Sequence, residues 1–231
     1  MKRPCIKLFI ISLLPLSILT FFLSACTIDA YDKGEGDLSL MRADLVLGFT
    51  DSKRQVQEVE TDEGDRLTLT KPLRMSWMER PDSAYRMALY YNKVENHQAE
   101  VVAFGPVGVV VPHRFRETKS DPVRFESLWV GTNRRFLNTS LYLMTGATSD
   151  DSIRHVVGAA IDTLMQNDDG TSTLHLTFYH DQAGVPEYYS QRTFLSIPLD
   201  SVQADSLHLR INTYEGMVSK TVSLHTATQQ T

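Results

Sequence analysis

The sequence predicts an all-β protein, and two kinds of observation carry that reading. The first is alternation: Leu174, Leu176 and Phe178 alternate with His175, Thr177 and Tyr179, and Leu207, Leu209 and Ile211 alternate with His208, Arg210 and Asn212. A period of two sets one face of a strand against a core. The runs Leu137, Thr139, Leu141, Leu143 and Leu195, Ile197, Leu199 repeat the pattern, whereas helical spacing is scarce. The second is punctuation: TDEGD (61–65), RPDS (80–83), NDDG (167–170), DQAGVP (181–186) and YEGM (214–217) separate the runs at short intervals. Glycine supplies positive φ and proline presets φ in such turns, and many short strands so spaced point to sandwiches or barrels. No internal repeat of fixed period is present.

Ahead of the strands lies a leader. Lys2, Arg3 and Lys7 are followed by an apolar run from Leu8 to Leu23, the basic and apolar regions of a secretory signal. Leu23, Ser24, Ala25 and Cys26 then resemble a bacterial lipobox, which implies cleavage after residue 25 and lipid attachment to the Cys26 sulfur. An uncleaved anchor is the alternative, since the run lies near the lower limit of about 17 residues for a spanning helix. Pro15 and the polar Ser12, Ser17 and Thr20 disfavour it. Each buried methylene of an acyl chain adds about 0.8 kcal/mol, so two or three chains hold a protein durably on a membrane.

Cleavage and lipidation would consume both cysteines, Cys5 and Cys26, and leave no thiol for a disulfide, a zinc site or a nucleophile. Loss of the three basic leader residues takes the net charge from -5 to -8. An acidic balance opposes nucleic-acid binding, which draws its strength from basic residues on phosphates. Residues 26–37, polar and containing Asp29, Asp32, Glu35 and Asp37, read as a tether.

A break follows VVAFGPVGVVVP (101–112). The stretch HRFRETKSDP (113–122) is charged and poor in apolar residues before FESLWV restores the strand pattern. It is long for a hairpin and suits a linker, with a domain boundary near Lys119.

Residues of chemical interest are sparse. Seven histidines are present, at 97, 113, 155, 175, 180, 208 and 225. His175 and His180, five apart in one strand, point to opposite faces and cannot chelate one ion together. The others lack ligand spacing, and solvated or edge histidines are the plainer account. There is no G-x-S-x-G, no H-E-x-x-H and no glycine-rich phosphate loop. Asp181 and Glu187 offer a carboxylate pair of the glycosidase kind, although two acids near a turn usually serve solubility. Tyr188 and Tyr189, on opposite faces, and Trp77, in a polar context, could stack on sugars or peptides. Against that, Trp129 and most tyrosines read as core or corner residues. The triplets DSA (82–84), DSI (151–153), DTL (162–164), DSV (200–202) and DSL (205–207) resemble an Asp-Ser/Thr-apolar acceptor for O-glycosylation. Asn138, in NTS, reads as an ordinary strand residue.

Several segments in order carry a family likeness: DEGDRLTLTKPL (62–73), PDSAYRMALYYNKVE (81–95), LNTSLYLMTG (137–146), LTFYHDQAGVPEYYS (176–190), SIPL (196–199) and INTYEG (211–216). Through them the chain resembles the NigD-like lipoproteins of Bacteroidota over most of its mature length. The resemblance implies an N-terminal OB-like β-barrel over residues 38–113, a linker over 114–120 and a C-terminal β-sandwich over 121–231. It also implies bacteriocin immunity as a functional label, and it defines no catalytic residues to carry over. The expectation is a non-enzymatic outer-membrane lipoprotein without cofactor or metal, held to the membrane by its lipid and binding a protein or glycan. A structural subunit of an envelope assembly, and an envelope glycan or peptide hydrolase using Asp181 and Glu187, are the alternatives.

Overall fold

The computed structural model describes residues 41–94, 97–150 and 152–224. The leader (1–25), Cys26 with the rest of its tetrapeptide, and the tether (26–37) lie outside the described residues. Five strands come first: β1 (Met41–Thr50), β2 (Val56–Thr61), β3 (Arg66–Leu73), β4 (Ala84–Val94) and β5 (Gln98–Pro106). They close into a barrel in the order β1-β2-β3-β5-β4, with β3 and β5 parallel. That is the OB-like arrangement. Strand alternation fills the interior with Val46, Val56, Val59, Leu67, Leu69, Met87, Leu89 and Tyr91.

Eight further strands form a sandwich: β6 (Gly108–Val109), β7 (Arg124–Val130), β8 (Phe136–Thr145), β9 (Val156–Gln166), β10 (Ser172–Asp181), β11 (Tyr189–Pro198), β12 (Ser206–Thr213) and β13 (Gly216–Ser223). One sheet runs β13-β12-β10-β9 and the other β6-β11-β8-β7. Leu137, Leu141, Leu143, Leu195 and Ile197 meet Leu176, Phe178, Leu207, Leu209 and Ile211 between the sheets. The turn clusters fall where expected, with Gly64, Gly170, Gly184 and Gly216 at positive φ, a conformation open to glycine at little cost.

The boundary differs from the expected one. The barrel ends at Pro106, Gly108 and Val109 already pair with β11 of the sandwich, and the handover takes one residue. Gly108 permits it, because a Cβ there would come within 2.6 Å of the Leu195 side chain. Residues 114–120 are accordingly not a linker between modules but part of a strap along the sandwich. His113 bridges to Ala160, Ser120 to His180 and Val123 to Thr213. Phe115 stacks on Tyr179 with ring centroids 4.1 Å apart, over the space left by Gly158. The charged composition of 113–122 reflects side chains turned outward from a backbone that is hydrogen-bonded to the sheet.

Barrel and sandwich make one compact unit, joined by a buried polar latch. On β4, Met87, Leu89 and Tyr91 point into the barrel, which turns Arg86 outward toward the sandwich. On β8 and β11, Leu137, Leu141, Leu195 and Ile197 point into the sandwich core, which turns Asn138, Ser140 and Ser196 the other way. These three are completely buried, so β8 has both faces covered. The Arg86 guanidinium, 1% exposed, bonds Asp62 Oδ2 at 2.5 Å. It also donates to Asn138 Oδ1 at 3.0 Å and Ser196 Oγ at 3.1 Å and lies 4.2 Å from the centre of the Phe136 ring. Asn138 Nδ2 donates in turn to Asp62 Oδ2 at 2.7 Å.

The turns beside the latch interlock. The Asn133 amide donates to the Asp62 carbonyl (2.8 Å), Asn133 Nδ2 to the Thr61 carbonyl (3.1 Å), and Arg135 pairs with Glu60 (3.0 Å). Gly131 is required there, because a Cβ would stand 2.9 Å from Asp62 Cβ.

Removing one partner of a buried ion pair strands the other without solvent. Arg86→Ala is therefore expected to destabilise the protein by about 3–5 kcal/mol in urea unfolding. Arg135→Ala, at the exposed rim, should cost under about 1 kcal/mol. Equal losses for the two variants would show that the latch adds nothing beyond surface pairing.

Candidate functional site

A cavity of about 440 Å³ lies between the modules. The barrel wall supplies Asp44 from β1, Tyr90 from β4, and Asp62 and Glu63 from the TDEGD turn. The sandwich wall supplies Trp129 from β7, and Arg192 and Phe194 from β11. Its walls combine ring faces with a few convergent polar groups.

Each charged group is held. Asp44 accepts from the Tyr91 hydroxyl at 2.7 Å and lies 3.5 Å from Arg42. Burial, and then the bond to Asp44, push the Tyr91 phenol well above its ordinary pKa. Arg42 also reaches Glu63 at 3.2 Å. Arg192 lies over the Phe194 ring at 4.7 Å and donates to Glu126 at 2.7 Å. The Ser140 hydroxyl also bonds Glu126, and that bond, followed by Arg192, holds the Glu126 carboxyl below the usual range. Asp62 Oδ1 and Arg86 Nη1 are buried without hydrogen-bond partners, and of these two residues Asp62 lines the cleft.

The residues singled out from the sequence are scattered by the fold. Trp129 lines the cleft, whereas Trp77 packs in the barrel against Tyr85 (5.9 Å) and Phe104 (6.3 Å). Tyr188 and Tyr189 are both exposed, at 79% and 56%, so neither is a core residue. They stand at the start of β11, where no lining residue of the cleft is found. Asp181 is committed to Lys119 at 2.6 Å, a bond that lowers its pKa. Glu187 is exposed, in the field of His155 and Tyr214. Of the Asp-Ser/Thr triplets, Ser152, Thr163 and Ser201 are exposed, while Ser206 bonds Thr173 at 2.8 Å.

The histidines correct one expectation. His180 is not a solvated or edge residue: it is 1% exposed and lies 3.1 Å from His155, Nε2 to Nδ1. His180 Nδ1 faces the Asp121 carbonyl at 3.0 Å, which can only accept, so this nitrogen carries the proton. His180 Nε2 then accepts from His155 Nδ1–H, and His155 Nε2 is left as a buried acceptor without a partner. His175 instead neighbours His208 across β10 and β12, with centroids 4.9 Å apart. No set of three or more metal-ligating side chains converges among the described residues, and His225 lies outside them.

Asn138, Arg86 and Gly131 were not marked as functional by sequence reasoning. The available signal was an alternation on β8 that places Asn138, Ser140 and Tyr142 opposite a leucine face, and a lone arginine inside the apolar AYRMALYY run.

An OB-like barrel locked to a β-sandwich, with a cleft between them, defines a two-module all-β architecture. The profile of the NigD-like C-terminal beta sandwich domain matches residues 109–225, just over half of the chain, and the chain belongs to the NigD-like family. The match begins at β6, in agreement with the boundary seen in the fold. Among solved structures, the chain is similar to a NigD-like immunity protein from Bacteroides caccae (24% identity, 78% of this chain and 91% of the other, TM-score 0.62). It is also similar to a protein described as toxin-related from Parabacteroides distasonis (15%, 79% and 92%, TM-score 0.57). A third, described as a lipoprotein from Bacteroides fragilis, matches at 10% identity over 81% and 99% of the two chains, TM-score 0.55. These likenesses establish the fold. No curated protein matches the chain.

The histidine pair makes stability depend on pH. Burial first, and the neighbouring His180 second, lower the His155 pKa, with Glu187 opposing. An unfolded histidine titrates near 6.5, so the unfolded chain binds more protons below that pH and stability falls as pH drops through the lowered folded value. His155→Gln, which keeps a donor toward His180, is expected to flatten the dependence of unfolding free energy between pH 7 and 5. An unchanged slope would place its origin in other groups.

Proposed function

We propose that this protein is a non-catalytic envelope lipoprotein of the immunity type, anchored through Cys26 and holding a partner protein in the cleft between barrel and sandwich. Membership of the NigD-like family is the observation that carries this reading, and the fold shared with a NigD-like immunity protein supports it. The cleft adds a physical rationale. Both modules contribute to it, so the latch that joins them also shapes the binding surface. The leader and the Leu-Ser-Ala-Cys tetrapeptide at 23–26 supply the anchor, and Thr27 in place of an aspartate after the cysteine suits onward transfer to the outer membrane. An anchored protein meets an incoming toxin at the envelope, before the toxin reaches its target.

The experiment is a killing assay with deletion cells carrying an empty vector, the wild-type protein or Cys26→Ala, challenged with spent medium from neighbouring strains. Deletion is expected to sensitise cells and the wild type to restore survival. Cys26→Ala, which keeps the uncleaved apolar leader, should lose the lipid and the onward transfer to the outer membrane and fail to protect. Equal survival of all strains against every medium that kills unrelated cells would defeat the immunity reading.

A further inference from the structure

Residues 147–150 and 152–155 carry the chain from β8 to β9, and their hydrogen bonds are almost all local. The Ile153 amide donates to the Asp150 carbonyl, Thr148 bonds Asp150, and the Ser152 amide donates to the Asp150 carboxylate. Among the described residues one bond from this stretch reaches another part of the fold, from His155 to His180 at 3.1 Å. His180 is fixed by the strap: its amide donates to the Lys119 carbonyl at 3.0 Å, its carbonyl accepts from the Asp121 amide at 2.9 Å, and Nδ1 donates to the Asp121 carbonyl at 3.0 Å. His155 is therefore the less constrained of the two.

The pair has no place for a further proton. His180 Nδ1–H, His180 Nε2 and His155 Nδ1–H are all engaged, and His155 Nε2 is buried without a partner. If the added proton resides on His180 instead, His155 changes tautomer and again carries an N–H at Nε2. Either way a buried donor and a buried charge are created with nothing to accept from them, which is costly until water reaches the ring. The surrounding groups do not supply the missing acceptor. Asp121 is committed through its carbonyl to His180 and through its carboxylate to the Gln182 amide (2.7 Å), and Asp181 is paired with Lys119 (2.6 Å). Tyr214 lies in the field of Glu187 and Asp121, and Arg154 is exposed. Glu187, exposed before β11, is the group whose charge favours a protonated His155.

We infer that the His155–His180 pair is a pH-operated tie: with both rings neutral it holds residues 152–155 against β10, and one added proton releases them into solvent on the Glu187 side, uncovering His180 while barrel and sandwich stay folded. A released His155 takes up its proton near 6.5 and the tied ring only at lower pH. The tie is therefore at full strength above 6.5 and weakens as pH falls. The release is local, because the pairing of β9 with β10 from Val156 onward does not pass through either imidazole.

The test is hydrogen exchange read by mass spectrometry on the full-length protein in detergent at about pH 7.5 and about pH 5.5, either side of the ordinary histidine range, with each rate divided by the intrinsic rate at that pH. One unit below the ordinary value, opening gains at most about tenfold, so peptides covering 153–157 should lose protection by about three- to tenfold. Peptides from β4, β8 and β12 should keep theirs. His155→Gln, whose amide donates to His180 but takes up no proton, should show equal protection at both pH values. Glu187→Gln, at an exposed position, should fold normally and move the midpoint of the change to lower pH. The inference is overturned if 153–157 are equally protected at the two pH values, if His155→Gln keeps the response, or if the midpoint fails to fall in Glu187→Gln. Loss of protection in all peptides together would also overturn it, since the pair would then contribute to global stability only.

Discussion

A guanidinium with no access to water sets the terms for the rest of this molecule. Arg86 projects from the outer face of a barrel strand, and taking its charge out of solvent carries a penalty of several kcal/mol unless the surroundings supply a counter-charge and hydrogen-bond acceptors. Asp62 brings the charge from the barrel's own turn, while Asn138 and Ser196 bring acceptors from the sandwich. Neither module alone satisfies Arg86. The barrel without the sandwich would expose Asp62 and Arg86 to competing water, and the sandwich without the barrel would leave Asn138 and Ser196 on an open sheet face. The two modules are energetically one object because their polar groups complete each other.

The latch and the cleft share a residue, which ties the shape of the cleft to the joint between the modules. Asp62 gives Oδ2 to Arg86 and Asn138, its backbone carbonyl to Asn133, and its side chain to the cleft wall. The close approach of Gly131 keeps it in place. Its position is therefore fixed from both modules, and a residue held in this way makes the wall of the cleft rigid at that point. Trp129 follows Leu128 on β7 and Phe194 precedes the core residue Leu195 on β11, so the ring walls of the cleft are set by the same alternation that fills the sandwich.

Much of this fold was legible in the sequence for a simple reason. A strand with one wet face writes a period of two, and each glycine at positive φ marks a turn, so β10, β12 and their hairpins could be read directly. Reading failed where a strand has no wet face. On β8 the residues between the leucines are polar because they meet another polar surface. A buried Asn138 or Ser140 looks the same in sequence as a solvated one, and only the docking of the barrel distinguishes them. The strap over 113–123 misled for the opposite reason: its side chains are charged and exposed, yet its backbone is paired with the sandwich. Backbone pairing leaves no mark in composition. The burial of His180 left no mark in the sequence likewise, because its partner His155 is brought to it from across the β9–β10 hairpin.

Why should such an interface be polar at all? Apolar residues of similar volume would join the modules at least as strongly, since the Coulombic gain of a buried pair is largely offset by desolvation. They would also tolerate sliding, because the hydrophobic effect has no direction. A guanidinium that must meet a carboxylate, an amide oxygen and a hydroxyl at once accepts one register and pays heavily for others. For a protein whose cleft is formed by two modules, the width and charge of that cleft are only as well defined as the register between them. With no cysteine among residues 27–231 to lock the modules covalently, a directional buried network is the remaining means of holding Asp44, Glu63 and Trp129 at a fixed separation. On this account the latch is retained for the shape it enforces, and stability is the lesser part of its contribution.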